Sequence, residues 1–161
     1  MTNPCDLKEK ADEVLLSLKT IIESCDLDMV LTAGTCLGFI RDGGYIKNDN
    51  DIDVGVLSNF QECTPEEKKN LSEKLKHSGF SSGQVMIDGS EHWWAGGGVC
   101  MLVCIRWGFA WRLKYMKKFD QVVHNGEVYN VPYPVEDFLS HKYVTATYDN
   151  QDYRIPHLRS P

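Results

Sequence analysis

The chain lacks any run of about 18 apolar residues, so no helix in it is expected to cross a bilayer. Its start, Met1-Thr2-Asn3-Pro4, lacks the charged-then-apolar pattern of a secretory leader, and the expected location is the cytoplasm. It lacks an excess of basic residues. With 17 Lys and Arg against 23 Asp and Glu, the net charge is -6. That balance gives no broad attraction to nucleic acid or to an anionic membrane. Arg112 to Lys118 is the one basic stretch. Also missing are a Walker-type phosphate loop, a dinucleotide glycine fingerprint, a paired-histidine zinc helix and a serine nucleophile elbow. No repeat, linker or low-complexity tract divides the chain.

What is present suits one domain over residues 1–161, with 42% apolar and 25% charged residues. Six cysteines form no regular framework, and reduced thiols are expected. Cys100 and Cys104 lack the second pair that a zinc knuckle needs, so they read as buried packing.

Asp6 and Glu9 form a capping-box pattern, and Leu7, Ala11, Val14, Leu15, Leu18, Ile22 and Cys25 follow at helical spacing. Met29 to Ala33 reads as a buried strand, and Cys36 to Arg41 as one or two helical turns. Asp51 to Leu57 alternates acidic and apolar residues, as a half-buried strand does. Thr64-Pro65-Glu66-Glu67 starts a helix that Gly79 ends. Four strands are expected after it, over Phe80 to Ile87, Val99 to Trp107, Phe109 to Met116 and Gln121 to Val131. Asp88-Gly89 and Asn125-Gly126 are hairpin signals. Pro134 to Tyr143 reads as a last helix. This order predicts an α+β fold, a mixed sheet with helices packed on one face.

The densest chemistry is Asp49, Asp51 and Asp53. Alternate strand residues point the same way, about 7 Å apart, so Asp51 and Asp53 share a face. Two such carboxylates repel unless a cation joins them, and magnesium takes oxygen ligands while leaving positions open for phosphate. The other reading is a solvated acidic turn leading into an edge strand. Upstream, Gly34 lets backbone approach a phosphate, and Thr35 offers a hydroxyl and an amide at a helix start. Together these make a phosphate cradle facing a metal site.

Gly34-Thr35-Cys36-Leu37-Gly38, then Arg41, then Tyr45 to Val54 with its three acids, resembles the signature of the LicD/fukutin family. Tyr129 to Leu139 resembles that family's closing motif, and Tyr148, Asp152, Tyr153 and Pro156 more loosely its final pattern. The stretch 60–121 carries no resemblance. The likeness implies a DNA polymerase beta-like nucleotidyltransferase fold. It implies a metal-dependent transferase that moves a phosphate-linked group, such as phosphocholine or ribitol phosphate, from a CDP-linked donor to a hydroxyl of a glycan or small molecule. By motif, Asp51 and Asp53 are the catalytic metal ligands for Mg2+ or Mn2+, and Asp49 supports them. Gly34 and Thr35 contact donor phosphate, and Arg41 steadies the donor or the acids through its fork. Asn48 and Asn50 depart from the pattern.

The fold usually carries a third acid on a later strand, which helps deprotonate the acceptor. The expected strand, Val99 to Ile105, holds none; Asp88, Glu91 and Asp120 are the candidates. The alternatives are therefore a nucleotidyltransferase that uses a nucleoside triphosphate, or a catalytically weak nucleotide-binding module. Trp93-Trp94 before Gly96-Gly97-Gly98 is compatible with an aromatic platform and lid or with a self-association patch. Arg106, Arg112 and Lys114 read as a solvated strand face or as phosphate ligands. His141 reads as surface.

Overall fold

The structure, a computed structural model, describes residues 7–47, 49, 51–95, 101–143, 147–148 and 151–152. In chain order the elements are α1 (Leu7–Ser24), β1 (Asp28–Leu31), α2 (Ala33–Arg41), β2 (Asp51–Ser58), β3 (Gln61–Glu62), α3 (Pro65–His77), β4 (Ser81–Val85), β5 (Glu91–Trp94) and β6 (Leu102–Arg106). A 3-10 helix (Ala110–Met116) follows, then β7 (Phe119–His124), β8 (Glu127–Pro132), α4 (Val135–Lys142), β9 (Thr147–Tyr148) and β10 (Gln151–Asp152).

Eight strands form one mixed sheet in the order β4-β5-β6-β2-β1-β8-β7, with β3 paired to β2. The β2–β6 and β1–β8 pairings are parallel, and the rest are antiparallel. This is the α+β fold read from the sequence. It also disposes of the edge-strand alternative for Asp51 and Asp53, because β2 lies between β1 and β6. Its apolar residues Ile52, Val54 and Val56 are completely buried, while Asp51 and Asp53 are only half-buried. Burial of three branched side chains on one face fixes the register, since a one-residue slip would drive the carboxylates into the core.

The helices form where the sequence signals them. α1 buries Ala11, Val14, Leu15, Leu18 and Ile22 along one stripe. Its Asp6 cap lies outside the described residues. α3 opens with the expected capping box. Thr64 Oγ1 accepts from the Glu67 N–H at 3.2 Å, and Glu67 accepts from the Thr64 N–H at 2.8 Å. Such a box contributes about 1 kcal/mol. Leu71 and Leu75 are the buried residues of α3, which lies against α1.

Two expectations are corrected. Phe109 to Met116 is not a strand: Phe109 precedes a 3-10 helix that buries Tyr115 and Met116. Arg112 N–H donates to the Phe109 carbonyl at 2.8 Å, and Trp111 stacks on Phe138 of α4. A packed aromatic cluster overrides the β-propensity of these residues. Conversely, Glu91 to Trp94 forms a strand between β4 and β6 that the sequence reading missed. It buries Trp93 and leaves Trp94 partly exposed, so the two tryptophans face opposite sides and form no joint platform. Gly96, Gly97 and Gly98 lie outside the described residues. No described helix is long and apolar enough to cross a membrane.

Gly55 marks how tightly β2 is packed. A Cβ built there would stand 2.8 Å and 2.9 Å from the Phe109 ring and 3.1 Å from Val30 Cγ1. Phe109 is fully buried and has little room to move. Gly55→Ala is therefore expected to cost about 1–3 kcal/mol through overpacking. Thermal melting would show a fall of roughly 2–4 °C per kcal/mol; an unchanged melting temperature would mean that Phe109 is looser than its burial implies.

Candidate metal and phosphate site

The acids are held through their backbone. The β1–β2 ladder ends at Leu31↔Val54. Just beyond, Thr32 N–H donates to the Asp53 carbonyl at 3.1 Å, and Asp53 N–H donates to Thr35 Oγ1 at 2.9 Å. The turn between β1 and α2 thus grips Asp53 from both sides of its peptide. Thr35 is almost fully buried, as are Gly34 and Gly38. Gly38 is required by close approach, because a Cβ there would run into the Gly44 carbonyl. On the same loop Tyr45 donates to Asp12 of α1 at 2.8 Å, which ties the segment leading to the acids onto the long helix.

Register supplies the rest of the site. β6 runs parallel to β2 with Asp53↔Cys104, and β5 pairs with β6 through His92↔Cys104. Asp53, Cys104 and His92 therefore line up across three strands on one face. Asp51, Asp53 and Cys104 each bring a ligand atom within 4.8 Å of the others. The buried-packing reading of Cys104 was wrong: it is half-buried, and its thiol hydrogen-bonds to the Asp53 carboxylate. Only the pairing of β6 with β2 reveals this, and no local spacing encodes it. Cys100 lies outside the described residues.

Asp49 does not join that trio. It hydrogen-bonds to Asp51, and its carboxyl is pushed up by burial first, then by that bond and the charges of Asp51 and Asp53. Asp53 is also raised, by burial and then by the charge of Asp51, with Cys104, Lys142 and Arg106 opposing. Two unit charges at this separation repel by on the order of 3 kcal/mol at an effective dielectric of about 20. A proton or a cation must offset that.

The candidates for a third acid fare differently. Asp120 is on β7, with β8 and β1 between it and β2. Glu91 pairs with the buried Ile105, on the opposite face from Cys104, and accepts from Trp107 Nε1. Asp88 is at the site but occupied. It accepts from Ser90 Oγ at 2.6 Å and Ser90 N–H at 3.0 Å, and pairs with Arg106 at 2.9 Å. Those partners hold its carboxyl well below the usual range. Cys104 therefore stands where an acid was sought.

Asp53 and Cys104 also line a pocket of about 420 Å³, with Arg106 and Lys142 on its walls and Thr32 and Ala33 at the start of α2. Arg106 is thus a pocket residue and not a solvated strand face. Lys142, which the sequence reading missed, comes from the end of α4. Its ammonium is pushed below its ordinary value by burial, then by Arg112 and Arg106. Arg41 lies at the end of α2, where its fork grips Asp42 through two bonds of 2.8 Å. His141, exposed as expected, stacks on Trp111.

The arrangement can take a divalent cation on two carboxylates and a sulfur, beside a pocket with positive walls. A family model described as "LicD/FKTN/FKRP, nucleotidyltransferase domain" matches residues 26–156. No curated protein matches the chain significantly. A solved structure of a cytoplasmic RNA terminal U-transferase aligns at 14% identity with a TM-score of 0.48, covering 84% of this chain and 34% of that one. The chain thus spans about a third of the length of that protein.

Two outcomes follow from this geometry. Thr35→Val keeps the shape but leaves the Asp53 N–H without its acceptor, at a cost of about 1–3 kcal/mol, while Thr35→Ser keeps the bond. Equal melting temperatures for the two variants would refute the clamp. In metal-free protein, the raised carboxyls of Asp49 and Asp53 hold protons that the unfolded chain has released. Their contribution is therefore lost as pH rises from the ordinary carboxylate range through their raised values. Melting temperature followed against pH should fall across that window, and magnesium or manganese should flatten the fall.

Proposed function

The chain belongs to the LicD/FKTN/FKRP family, and from that premise we propose a metal-dependent transferase acting on a CDP-linked donor. It would pass a phosphate-linked group, of phosphocholine or sugar-alcohol phosphate type, to a hydroxyl of a glycan or small molecule. The observation that carries this reading is the trio Asp51, Asp53 and Cys104 on the central strands, beside a pocket with cationic walls.

In this reading Asp51 and Asp53 hold Mg2+ or Mn2+ through oxygen, with the Cys104 thiol beside them, and Asp49 steadies Asp51. The ion, when bound, neutralises charge on the phosphoryl oxygens of the donor. Gly34 and Thr35 present backbone at the start of α2, where N–H groups favour phosphate. The Thr35 hydroxyl meanwhile keeps Asp53 in place. Arg41 is assigned to the donor on the family pattern, through a guanidinium that Asp42 already orients. The free thiols of Cys25, Cys36, Cys63 and Cys104 support a cytoplasmic setting.

One observation favours a second reading. A carboxylate in the Cys104 position could take the proton of the attacking hydroxyl. The Cys104 thiol is pushed above its ordinary value by burial and by Asp53, so it is a poor substitute at neutral pH. That favours a nucleotide-binding module with weak catalysis.

Calorimetric titration with cytidine nucleotides and magnesium, beside Asp53→Asn, tests the site first. Binding should require magnesium and vanish in the variant; folded protein that binds no nucleotide would sink both readings. With CDP-choline and CDP-ribitol as donors, Asp51→Asn and Asp53→Asn should each lower turnover by several powers of ten. Release of CMP marks the CDP-linked donor, whereas pyrophosphate released from a nucleoside triphosphate marks nucleotidyl transfer. Cys104→Asp should raise magnesium-supported turnover. Nucleotide binding without turnover in either protein would leave the binding module.

A further inference from the structure

Two cations and two carboxylates line the pocket beside Asp53, and a third cation stands close to that pair of cations. Arg106 enters from β6 and Lys142 from the end of α4, and Arg112 on the 3-10 helix is close enough to act on both. Three cations therefore converge in a chain of net charge -6. Two carboxylates face them, Asp53 and Asp88. Asp88 is committed to Ser90 and Arg106. Among the described residues, no carboxylate lies within ion-pairing distance of the half-buried Lys142.

Holding a half-buried ammonium beside two guanidiniums is unfavourable, because desolvation and like charge act together. The imbalance grows once a divalent ion occupies Asp51 and Asp53, since Asp53 then no longer offsets the cations. An anion in the pocket would meet both the ion and the walls. Arg106 offers a planar fork and Lys142 a point charge, the two side-chain forms that bind phosphate oxygens. Met86 and Ile87, between β4 and β5, add exposed apolar lining to the same pocket.

We propose that Arg106 and Lys142 form a phosphate-binding subsite over Asp53, separate from the Gly34–Thr35 turn. It rests on the transferase reading for the identity of the substrate, while the anion binding itself does not. The phosphate belongs either to the diphosphate of the donor or to an acceptor that is itself phosphorylated.

The test is calorimetric titration of the full chain with inorganic pyrophosphate in magnesium buffer. Lys142→Gln and Arg106→Gln should each weaken binding about tenfold, the size of one charge-assisted contact. Lys142→Arg should recover part of the loss. Arg106→Gln also removes the ion pair with Asp88, so Asp88→Asn serves as its control. That variant breaks the same pair yet keeps the cation, and it should bind pyrophosphate at least as tightly as the parent. Folded parent protein that binds no pyrophosphate, or equal affinity in the parent and both glutamine variants, overturns the subsite. CDP titrations separate the sources. A matching tenfold loss for CDP in Lys142→Gln assigns the subsite to the donor. Unchanged CDP affinity with weakened pyrophosphate binding assigns it to an acceptor phosphate. Magnesium-dependent CDP binding that Asp53→Asn abolishes, with pyrophosphate affinity indifferent to Lys142→Gln, would overturn the subsite and leave the transferase reading intact.

Discussion

Two like charges held side by side on a central strand set the terms for everything around them. Asp51 and Asp53 cannot move apart, because Ile52, Val54 and Val56 are anchored in the core between them and beyond them. β1 and β6 hydrogen-bond β2 on either side, and Thr32 and Thr35 close on the Asp53 peptide. An edge strand could twist or fray to relieve the repulsion; a strand paired on both sides has no such freedom. The fold therefore stores electrostatic strain at one point, in a frame stiff enough to keep it there. Proton uptake by Asp49 and Asp53 relieves that strain in part, and a divalent cation would relieve it more fully.

The frame was readable from sequence where its cause is local. Alternation of acids with Ile52, Val54 and Val56 gave the strand and the shared face. The Thr64 capping box and the Asn125-Gly126 turn appear as read. Thr35 meets Asp53 because the turn, helix and loop between β1 and β2 are short. What the sequence concealed depends on pairing between distant segments. Cys104 faces Asp53 only because β6 is parallel to β2 in one particular register. Lys142 reaches the pocket only because α4 packs against the 3-10 helix, where Phe138 stacks on Trp111. The error at Phe109 to Met116 has the same origin, since aromatic residues that favour strands in isolation turned into a helical cluster under tertiary packing.

Cys104 bears on what the site can do in a way that no count of acids reveals. As a thiol it donates to Asp53 and spares the site a third buried negative charge. As a thiolate it would be a soft ligand beside two hard ones, which shifts preference away from magnesium and toward softer divalent ions. A thiol in that place thus lowers the electrostatic strain among the carboxylates and weakens the site as a proton acceptor. A site built for fast proton removal would favour the carboxylate. One built to bind a nucleotide and its metal can do without it.

The positive wall completes the balance. Asp53, Asp88, Arg106 and Lys142 line one pocket, and of these Asp88 and Arg106 form a close ion pair while Asp53 and Lys142 do not. Asp88 is taken up by Ser90 and Arg106, and Asp53 is shared among Asp51, Cys104 and Lys142. Stability alone would be better served by direct pairs or by apolar packing. Charges kept apart across a pocket make sense when a third body bridges them. A metal ion bearing a phosphate has the right sign on each side: its cation meets the carboxylates and its oxygens meet the guanidinium and the ammonium. On the proposed reading, a phosphate without its ion would be repelled by Asp51 and Asp53, so the ion and the phosphate would bind together.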